Sequence, residues 1–319
     1  MSYRPSQDEV IGYFDSLSNW GRWGAEDQLG TLNLVTPERR RSAAALIREG
    51  ETVSCSKLIP HAPAALAGGN PIIDMVQSGE RYALGDTPPP PGAPGVRPLQ
   101  WAGERLTFAF HGRVFTHIDG LAHVFWDGKM YNGRSAGLVK TSAGAVVQSS
   151  DVMRGGIFTR GVLLDVPRVK GVDFLDPADH VMPEDLEACE QAQGVRVGPG
   201  DVVLLRTGFQ VQVDRLGGAE PEAHSGYQAG CLPWLRERDV AVIGSDVIQD
   251  ARPVEYPLTP LPVHQVALVA LGLRLIDNAA LEPLAAACAQ RGRWEFAFSL
   301  NPLRIQNGTG SPANPIALF

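Results

Sequence analysis

The arrangement of apolar positions predicts alternating strands and helices in the second half of the chain. Short apolar runs of strand length cover residues 162–166, 201–206, 240–243 and 273–276. Segments with helical character lie at residues 183–194, 263–272 and 282–290. Alternation of this kind is typical of an α/β fold with a mixed or parallel sheet. An apolar stretch at residues 315–319 is predicted to add a final strand.

The first part of the chain has a different pattern, and we predict two divisions. Residues 1–50 are expected to form a helical N-terminal extension, and residues 51–319 the main domain. Thr36 and Pro37 are a typical N-cap and first helical residue, and Gly50 is a typical stop. Residues 60–104 are proline-rich and are interpreted as a long loop, which could be a lid, an oligomer arm or a surface excursion.

The chemistry is concentrated around residues 106–123. Residues 106–115 are rich in Phe, Val and Thr and are predicted to form a strand. Side chains two apart in a strand point to the same face. His111, Arg113, His117 and Asp119 share this spacing, so we expect them to converge on one side of a sheet. His123 could fold back toward them, because a glycine at residue 120 allows the chain to turn.

Two interpretations of this cluster remain open. Two histidines and a carboxylate within eight residues could bind one divalent metal, with Zn²⁺ and Mn²⁺ both compatible with a His/Asp donor set. A buried His–Asp hydrogen-bonded pair without metal is the alternative. We favour the metal, because buried ionisable groups are costly unless they are paired or bind a cation.

Composition excludes several classes of protein. The 319 residues are 44% hydrophobic and 20% charged, as in ordinary globular enzymes. A net charge of −7 without a basic run argues against nucleic-acid binding. We find neither a secretory signal in the first ten residues nor an apolar stretch of membrane-spanning length, and therefore expect a cytoplasmic protein without membrane contact. Four scattered cysteines fit reduced thiols.

A second polar group lies downstream. His264 opens the predicted helix 263–272, and Asp277 ends the strand that follows it. Positions at the ends of regular elements are typical of active sites. Asp246 and Asp250 follow the strand at 240–243, and we interpret them as caps or turn residues. The sequence lacks a G-x-S-x-G elbow and a G-x-G-x-x-G pattern, so a covalent serine hydrolase and a dinucleotide site are not indicated.

These residues resemble the cyclase superfamily, which includes bacterial kynurenine formamidases, isatin hydrolases and zinc-dependent dienelactone hydrolases. The motif is Thr116-His117-Ile118-Asp119 through His123. Further segments of the chain are similar to a longer-form member of this family, at residues 23–33, 127–133, 160–165, 200–208 and 264–277. The resemblance covers most of the chain from about residue 20.

The resemblance implies a swivelling β/β/α fold with a central mixed β-sheet or barrel flanked by helices. It also implies a divalent metal and hydrolysis of an amide or ester bond, in a formamide, cyclic amide or lactone, without a covalent enzyme intermediate. By this resemblance His117 and Asp119 are metal ligands and His123 is the catalytic base. His264 and Asp277 then complete the catalytic site.

The chain departs from the shorter members at two positions. Their third ligand histidine, four residues before His117, is replaced by Arg113, and His111 is the candidate substitute. Arg113 could bind a substrate carboxylate instead. The downstream acid is Asp277 rather than a glutamate, and it lies one residue further from His264, which argues against a second metal ion.

The remaining expectations concern substrate and assembly. Phe125, Trp126 and Tyr131 follow the motif and suggest a pocket for a small cyclic or aromatic substrate, although ordinary core packing is the alternative. Trp23 could be a wall of that pocket or a packing anchor. The resemblance and the proline-rich segment indicate a homo-oligomer, a dimer or tetramer. A non-catalytic binding protein on the same fold and a metal-free acid–base cyclase or dehydratase remain the competing functions.

Overall fold

The computed structural model describes residues 3–59, 72–85 and 92–319, and the chain divides into two compact units. One unit contains Met1–Lys57 together with His111–Phe319, and the other contains Leu58–Phe110. The predicted division into an extension and a main domain at residue 50 stays a prediction. The proline run at residues 88–91 lies outside the described residues.

The fold consists of strands and helices that alternate through most of the larger unit. The strands are β1 Thr52–Ser54, β2 Ile72–Gln77, β3 Gly103–Thr107, β4 His117–Asp119, β5 Val139–Lys140, β6 Gly144–Ala145, β7 Ile157–Asp165, β8 Val202–Arg206, β9 Val242–Ser245, β10 Arg274–Asp277, β11 Glu295–Leu300, β12 Gly310–Pro312 and β13 Ile316–Leu318. The α-helices are α1 Gln7–Ser16, α2 Pro37–Ala44, α3 Glu80–Ala83, α4 Val166–Lys170, α5 Pro183–Gln193, α6 Phe209–Arg215, α7 Cys231–Glu237, α8 Pro262–Gln265 and α9 Glu282–Arg291. Short 3₁₀ segments cover Gly30–Leu34, Tyr131–Gly133, Ala136–Leu138 and Ser150–Met153, and a π-helix covers Val266–Leu271.

A curled nine-stranded mixed sheet organises the larger unit, with the order β1-β13-β11-β7-β8-β9-β10-β4-β12. The four central strands β7 to β10 are parallel. Strands β4 and β11 flank this centre and run antiparallel to β10 and β7, respectively. The predicted fold class, a central mixed sheet flanked by helices, is confirmed.

The core lies on both faces of the central strands. In β8, Val203 and Leu205 belong to one buried cluster, whereas Val202 and Leu204 belong to the other. Alternate side chains of one strand point to opposite faces, so a strand covered on both sides must be apolar throughout. This explains why these strands appear in the sequence as continuous apolar runs.

The prediction of a strand at residues 106–115 is wrong. Strand β3 ends at Thr107, and the chain bends before β4 begins at His117. Gly112 has a φ of +132°, which a regular strand does not accommodate. The side chain of Asn278 donates to the Gly112 carbonyl at 2.7 Å and to the Phe115 carbonyl at 3.2 Å, so these polar groups are satisfied without a neighbouring strand.

Two further segments differ from their predictions. Residues 60–104 are not a loop throughout their described part, because β2 and β3 pair as an antiparallel ladder in the smaller unit. The predicted helix 263–272 is a single turn of α-helix followed by the π-helix, which ends at Gly272 in the left-handed conformation. No helix in the described part of the chain combines the length and apolar character needed to cross a bilayer.

Candidate metal centre

The predicted ligands meet where β4 lies beside β10. His117 of β4 pairs in register with Asp277, the last residue of β10. Asp119 ends β4, and His264 lies in α8, the short helix that precedes β10. Because β10 is parallel to β9, this is also the carboxyl edge of the central strands, where ligands usually bind in α/β sheets.

Four imidazoles surround the Asp119 carboxylate. Oδ1 of Asp119 lies 2.9 Å from Nδ1 of His111, 3.5 Å from Nε2 of His117 and 3.9 Å from Nε2 of His123. Oδ2 lies 3.7 Å from Nε2 of His264. The four predicted histidines therefore converge on one carboxylate, although the path of residues 111–116 is not the strand from which convergence was inferred.

The environment of Asp119 fits a bound cation. Asp119 is fully buried, and among the described residues neither of its oxygens accepts a hydrogen bond of good geometry. The 2.9 Å contact with His111 has the distance of a hydrogen bond without the required alignment. A buried carboxylate with so little hydrogen bonding is costly unless a cation compensates it.

Outer hydrogen bonds orient two of the candidate ligands. Nδ1 of His117 lies 2.8 Å from the Phe115 carbonyl, which can only accept, so Nδ1 carries the proton and Nε2 presents its lone pair toward Asp119. Nε2 of His111 contacts the Thr309 hydroxyl at 3.0 Å, and its other nitrogen faces Asp119. Partners of this kind are typical of metal-binding histidines.

His264 is held between two carboxylates. Its Nδ1 contacts Asp250 at 2.5 Å, and its Nε2 contacts Asp277 at 3.1 Å. Gln249 donates to the other oxygen of Asp277 at 2.8 Å. This chain of contacts fixes both the imidazole of His264 and the carboxylate of Asp277.

Two sets of side chains have the spacing of metal ligands. The first is His111, His117 and Asp119, and the second is Asp119, His264 and Asp277. In each set the candidate ligand atoms lie within 4.8 Å of one another. Asp119 belongs to both sets, so its two oxygens could serve two neighbouring ions. The number of ions, like the individual roles of these residues, stays a prediction.

The electrostatics of the site favour a positive charge beside these carboxylates. Burial alone raises the pKa of the Asp119 carboxyl, but His123, His111 and His117 outweigh burial and hold that pKa below its ordinary value. Burial lowers the pKa of His264, but Asp277 and Asp250 raise it well above its ordinary value. A positive charge is therefore stabilised here, whether a proton or a metal ion carries it.

His123 differs from the other three histidines. It belongs to neither ligand set, and its side chain is 29% exposed. Its ring stacks on His111 at a centroid distance of 3.7 Å with an angle of 3°. Burial is the largest influence on its pKa and lowers it, although Asp119 opposes this change. A neutral, accessible imidazole beside the ligands can accept a proton at neutral pH.

The predicted substrate-binding residues are spread more widely. Arg113 donates to the Pro221 carbonyl at 2.5 Å. Tyr131 is fully buried in the larger core cluster, and its hydroxyl donates to Asp27 at 3.1 Å. The other three are partly exposed aromatic side chains: Trp126 stacks on Phe14 of α1 at 4.3 Å, Trp23 lies under the Arg22 guanidinium, and Phe125 is 39% exposed.

Sequence reasoning missed three contributors to the site. Asp250 was interpreted as a cap or turn residue, and it does cap α8 by accepting the amides of Val263 and His264. It also holds the His264 ring, which was not expected. Gln249 and Thr309 contact candidate ligands without any local motif that would mark them. The only available signal was the position of Asp250 just beyond a buried strand.

Known proteins share the sequence profile and the fold of this chain. The profile of the cyclase family matches residues 56–249. A crystal structure described as a novel cyclase is 32% identical, with 95% of this chain and all of that chain covered and a TM-score of 0.83. A search of the curated proteins gave no match.

Two isatin hydrolase structures are more distant and share the fold. One, bound to the product analogue thioisatinate, is 19% identical, and the match covers 85% of this chain and 93% of that chain with a TM-score of 0.57. The other, isatin hydrolase A from Labrenzia aggregata bound to benzyl benzoate, is 17% identical and covers 86% and 94%, with a TM-score of 0.56. From the profile match over more than half of its length and the 32% identical structure, the chain belongs to the cyclase family.

Proposed function

We propose that this protein is a metal-dependent hydrolase that cleaves an amide or ester bond with water as the nucleophile. The observation that carries this proposal is the buried Asp119 carboxylate, surrounded by four imidazoles and lacking a well-formed hydrogen bond among the described residues. His111, His117 and Asp119 would hold a divalent cation, Zn²⁺ or Mn²⁺. Bound there, the cation supplies Lewis acidity toward water and toward a carbonyl oxygen.

Side chains of the protein would carry out the proton transfers and orient the reacting groups. His123, at the open side of the site, accepts the proton of the attacking water and later returns it to the leaving group. His264 is fixed by Asp250 and orients the Asp277 carboxylate beside the reacting atoms. The burial of Asp119 excludes bulk water from the ligand side, which strengthens the electrostatic interactions there.

The names of the neighbouring structures support the type of reaction. Two of them are isatin hydrolases, so this fold supports hydrolysis of a cyclic amide. For the present chain we propose formamides, cyclic amides and lactones as substrates. All three are cleaved when water attacks a polarised carbonyl group. The partly exposed aromatic ring of Phe125, two residues after His123, fits a small cyclic or aromatic substrate.

Elemental analysis of protein purified without added metal tests the proposal, together with a hydrolysis screen over the three substrate classes. The wild type should contain Zn or Mn and hydrolyse at least one class, whereas Asp119→Ala should lose both metal and activity. Glu38→Ala is the control, since Glu38 is an exposed residue of α2 that pairs with Arg41 of the same helix. Thermal unfolding of each variant establishes that the loss is local.

The competing functions have distinct outcomes in the same experiment. Metal without hydrolysis of any substrate class would overturn the catalytic assignment in favour of a small-molecule binding protein. Hydrolysis by wild type that stays metal-free after reconstitution would overturn the metal assignment in favour of acid–base catalysis by the His–Asp pairs.

A further inference from the structure

A second group of charged and aromatic side chains lies beside the candidate metal centre and has no part in the proposed proton transfers. We call it the Lys57 cluster, and it consists of Lys57, Arg113, Phe209 and His224. The Lys57 ammonium lies 5.6 Å from the centre of the Phe209 ring. His224 packs edge-on against the same ring, with 5.7 Å between centroids and an angle of 73°.

Among the described residues, no carboxylate oxygen lies within 4.0 Å of the Lys57 ammonium group. Lys57 is partly buried, and burial lowers its pKa from the ordinary value even though Glu220 and Asp246 act in the opposite direction. A partly desolvated ammonium whose described partner is an aromatic ring is stabilised further when an anion reaches it from outside.

The two acids that face Lys57 do not supply that anion. Asp246 already accepts hydrogen bonds from the backbone amides of Thr207, Gly208 and Phe209 and from the Thr207 hydroxyl, so its charge is offset by the start of α6. Glu220 is exposed to solvent. Its interaction with the cluster is therefore screened by water.

Arg113 adds a second positive charge to the cluster. Its charge lowers the pKa of both Lys57 and His224. One of its amino groups donates to the Pro221 carbonyl, an uncharged partner. Among the described residues, neither Lys57 nor Arg113 has a carboxylate oxygen within 4.0 Å, so both side chains are open to a monoanion such as a carboxylate.

Hydrogen bonds connect the cluster to the metal centre. The Lys57 amide donates to the Thr116 hydroxyl at 2.9 Å, and Thr116 directly precedes the candidate ligand His117. The same hydroxyl donates to the Asn278 carbonyl at 2.7 Å, next to Asp277. The Lys57 backbone is thus held against both strands that carry candidate ligands.

We propose that Lys57 and Arg113 form the subsite that binds a carboxylate group of the substrate, with the Phe209 ring beneath it. This inference rests on the proposed hydrolase function and narrows its substrate to an acid that carries its carboxylate apart from the bond to be cleaved. Neutral lactones and neutral formamides are then poorer substrates than their carboxylated counterparts.

Matched pairs of small formamides test this inference. The probes are ortho-, meta- and para-formamidobenzoate and their methyl esters, which share the scissile bond and differ in charge. The three isomers vary the distance between carboxylate and formamide. We expect wild type to favour one acid over its ester in kcat/KM, and Lys57→Met to reduce that preference about 10-fold or more, chiefly through KM. Lys140→Met, which removes an exposed lysine elsewhere, should leave the preference unchanged.

A binding measurement separates failure of this inference from failure of the proposed function. If no formamide is hydrolysed, calorimetry with the three aminobenzoates and their methyl esters still reports on the subsite. Binding of an acid that weakens at least 10-fold in Lys57→Met but not in Lys140→Met supports the carboxylate subsite without any turnover. Equal affinity of wild type for acid and ester, equal affinity of wild type and Lys57→Met for the acid, or no binding of any acid overturns it.

Discussion

Two buried aspartates after β9 allow the role of His264 to be separated from its structural surroundings. Asp246 and Asp250 both accept backbone amides at the start of a helix, α6 and α8 respectively. Only Asp250 also contacts an imidazole, Nδ1 of His264 at 2.5 Å. Replacing each aspartate by asparagine keeps the shape of the side chain and removes its charge.

We expect both variants to lose stability and only one to lose turnover. Hydrogen bonds to a charged group contribute about 1.5–3 kcal/mol each, so both substitutions should lower the free energy of unfolding by an amount of this order. Asp250→Asn in addition replaces the charged partner of the His264 ring by a neutral amide, which weakens the contact that orients the ring. Loss of such an outer partner typically lowers activity or metal affinity about 10–100-fold.

Turnover is measured as kcat per bound metal ion, on a substrate from the panel that wild type hydrolyses. Urea unfolding of both variants gives their stability. Turnover in Asp250→Asn should fall about 10–100-fold. Asp246→Asn should stay within about twofold of wild type at saturating substrate. An equal loss of kcat in both variants would refute the reasoning, since the effect would then follow from destabilisation of this edge of the sheet. Full turnover in Asp250→Asn would refute the orienting role of Asp250 itself.

Three further expectations follow from other parts of the molecule. His123→Ala should retain its metal in elemental analysis and lower kcat about 10²–10⁴-fold, and unchanged turnover would exclude His123 as the base. Burial lowers the pKa of His224 from 6.5 to about 4, so the stability that the neutral ring contributes is complete above pH 6.5 and is lost as the pH falls toward 4. Between about pH 7.5 and about pH 5, the free energy of unfolding measured in urea should fall by about 2 kcal/mol more in wild type than in His224→Gln. Parallel pH profiles of the two proteins would contradict this. Gly30 has a φ of +57° and its added Cβ would lie 2.1 Å from the Gly272 carbonyl oxygen, whereas Gly12 in α1 has open space around it. Gly30→Ala should therefore lower the melting temperature strongly and Gly12→Ala should not, and similar melting temperatures would argue against this close backbone approach.

The sequence alone determined the elements whose cause is local. The central parallel strands are apolar on both faces, so β8 to β10 could be predicted within two residues from continuous apolar runs. The run at 162–166 marks only the second half of β7. Helix α5 begins at Pro183 and ends before Gly194 in the left-handed conformation, as its terminal residues indicate. The cluster of His117, Asp119 and His123 could also be found, because its members are adjacent in the chain.

The tertiary structure decided everything that depends on distant partners. Residues 108–116 have the composition of a strand, yet Asn278 binds two of their carbonyl groups and they bend instead. His111 reaches Asp119 because of that bend. Arg113, which was expected on the same face, contacts Pro221. Lys57 lacks any motif, and its charge becomes significant only where the fold places it beside Phe209.

The physical reason is the range of the interactions involved. Periodicity, capping and glycine conformation act within a few residues, so a sequence pattern reports them directly. Desolvation and charge compensation depend on which segments the sheet brings together. His264 lies 14 residues from Asp250, and Asp119 lies far from both, yet the order of the strands places all three side chains in one buried site.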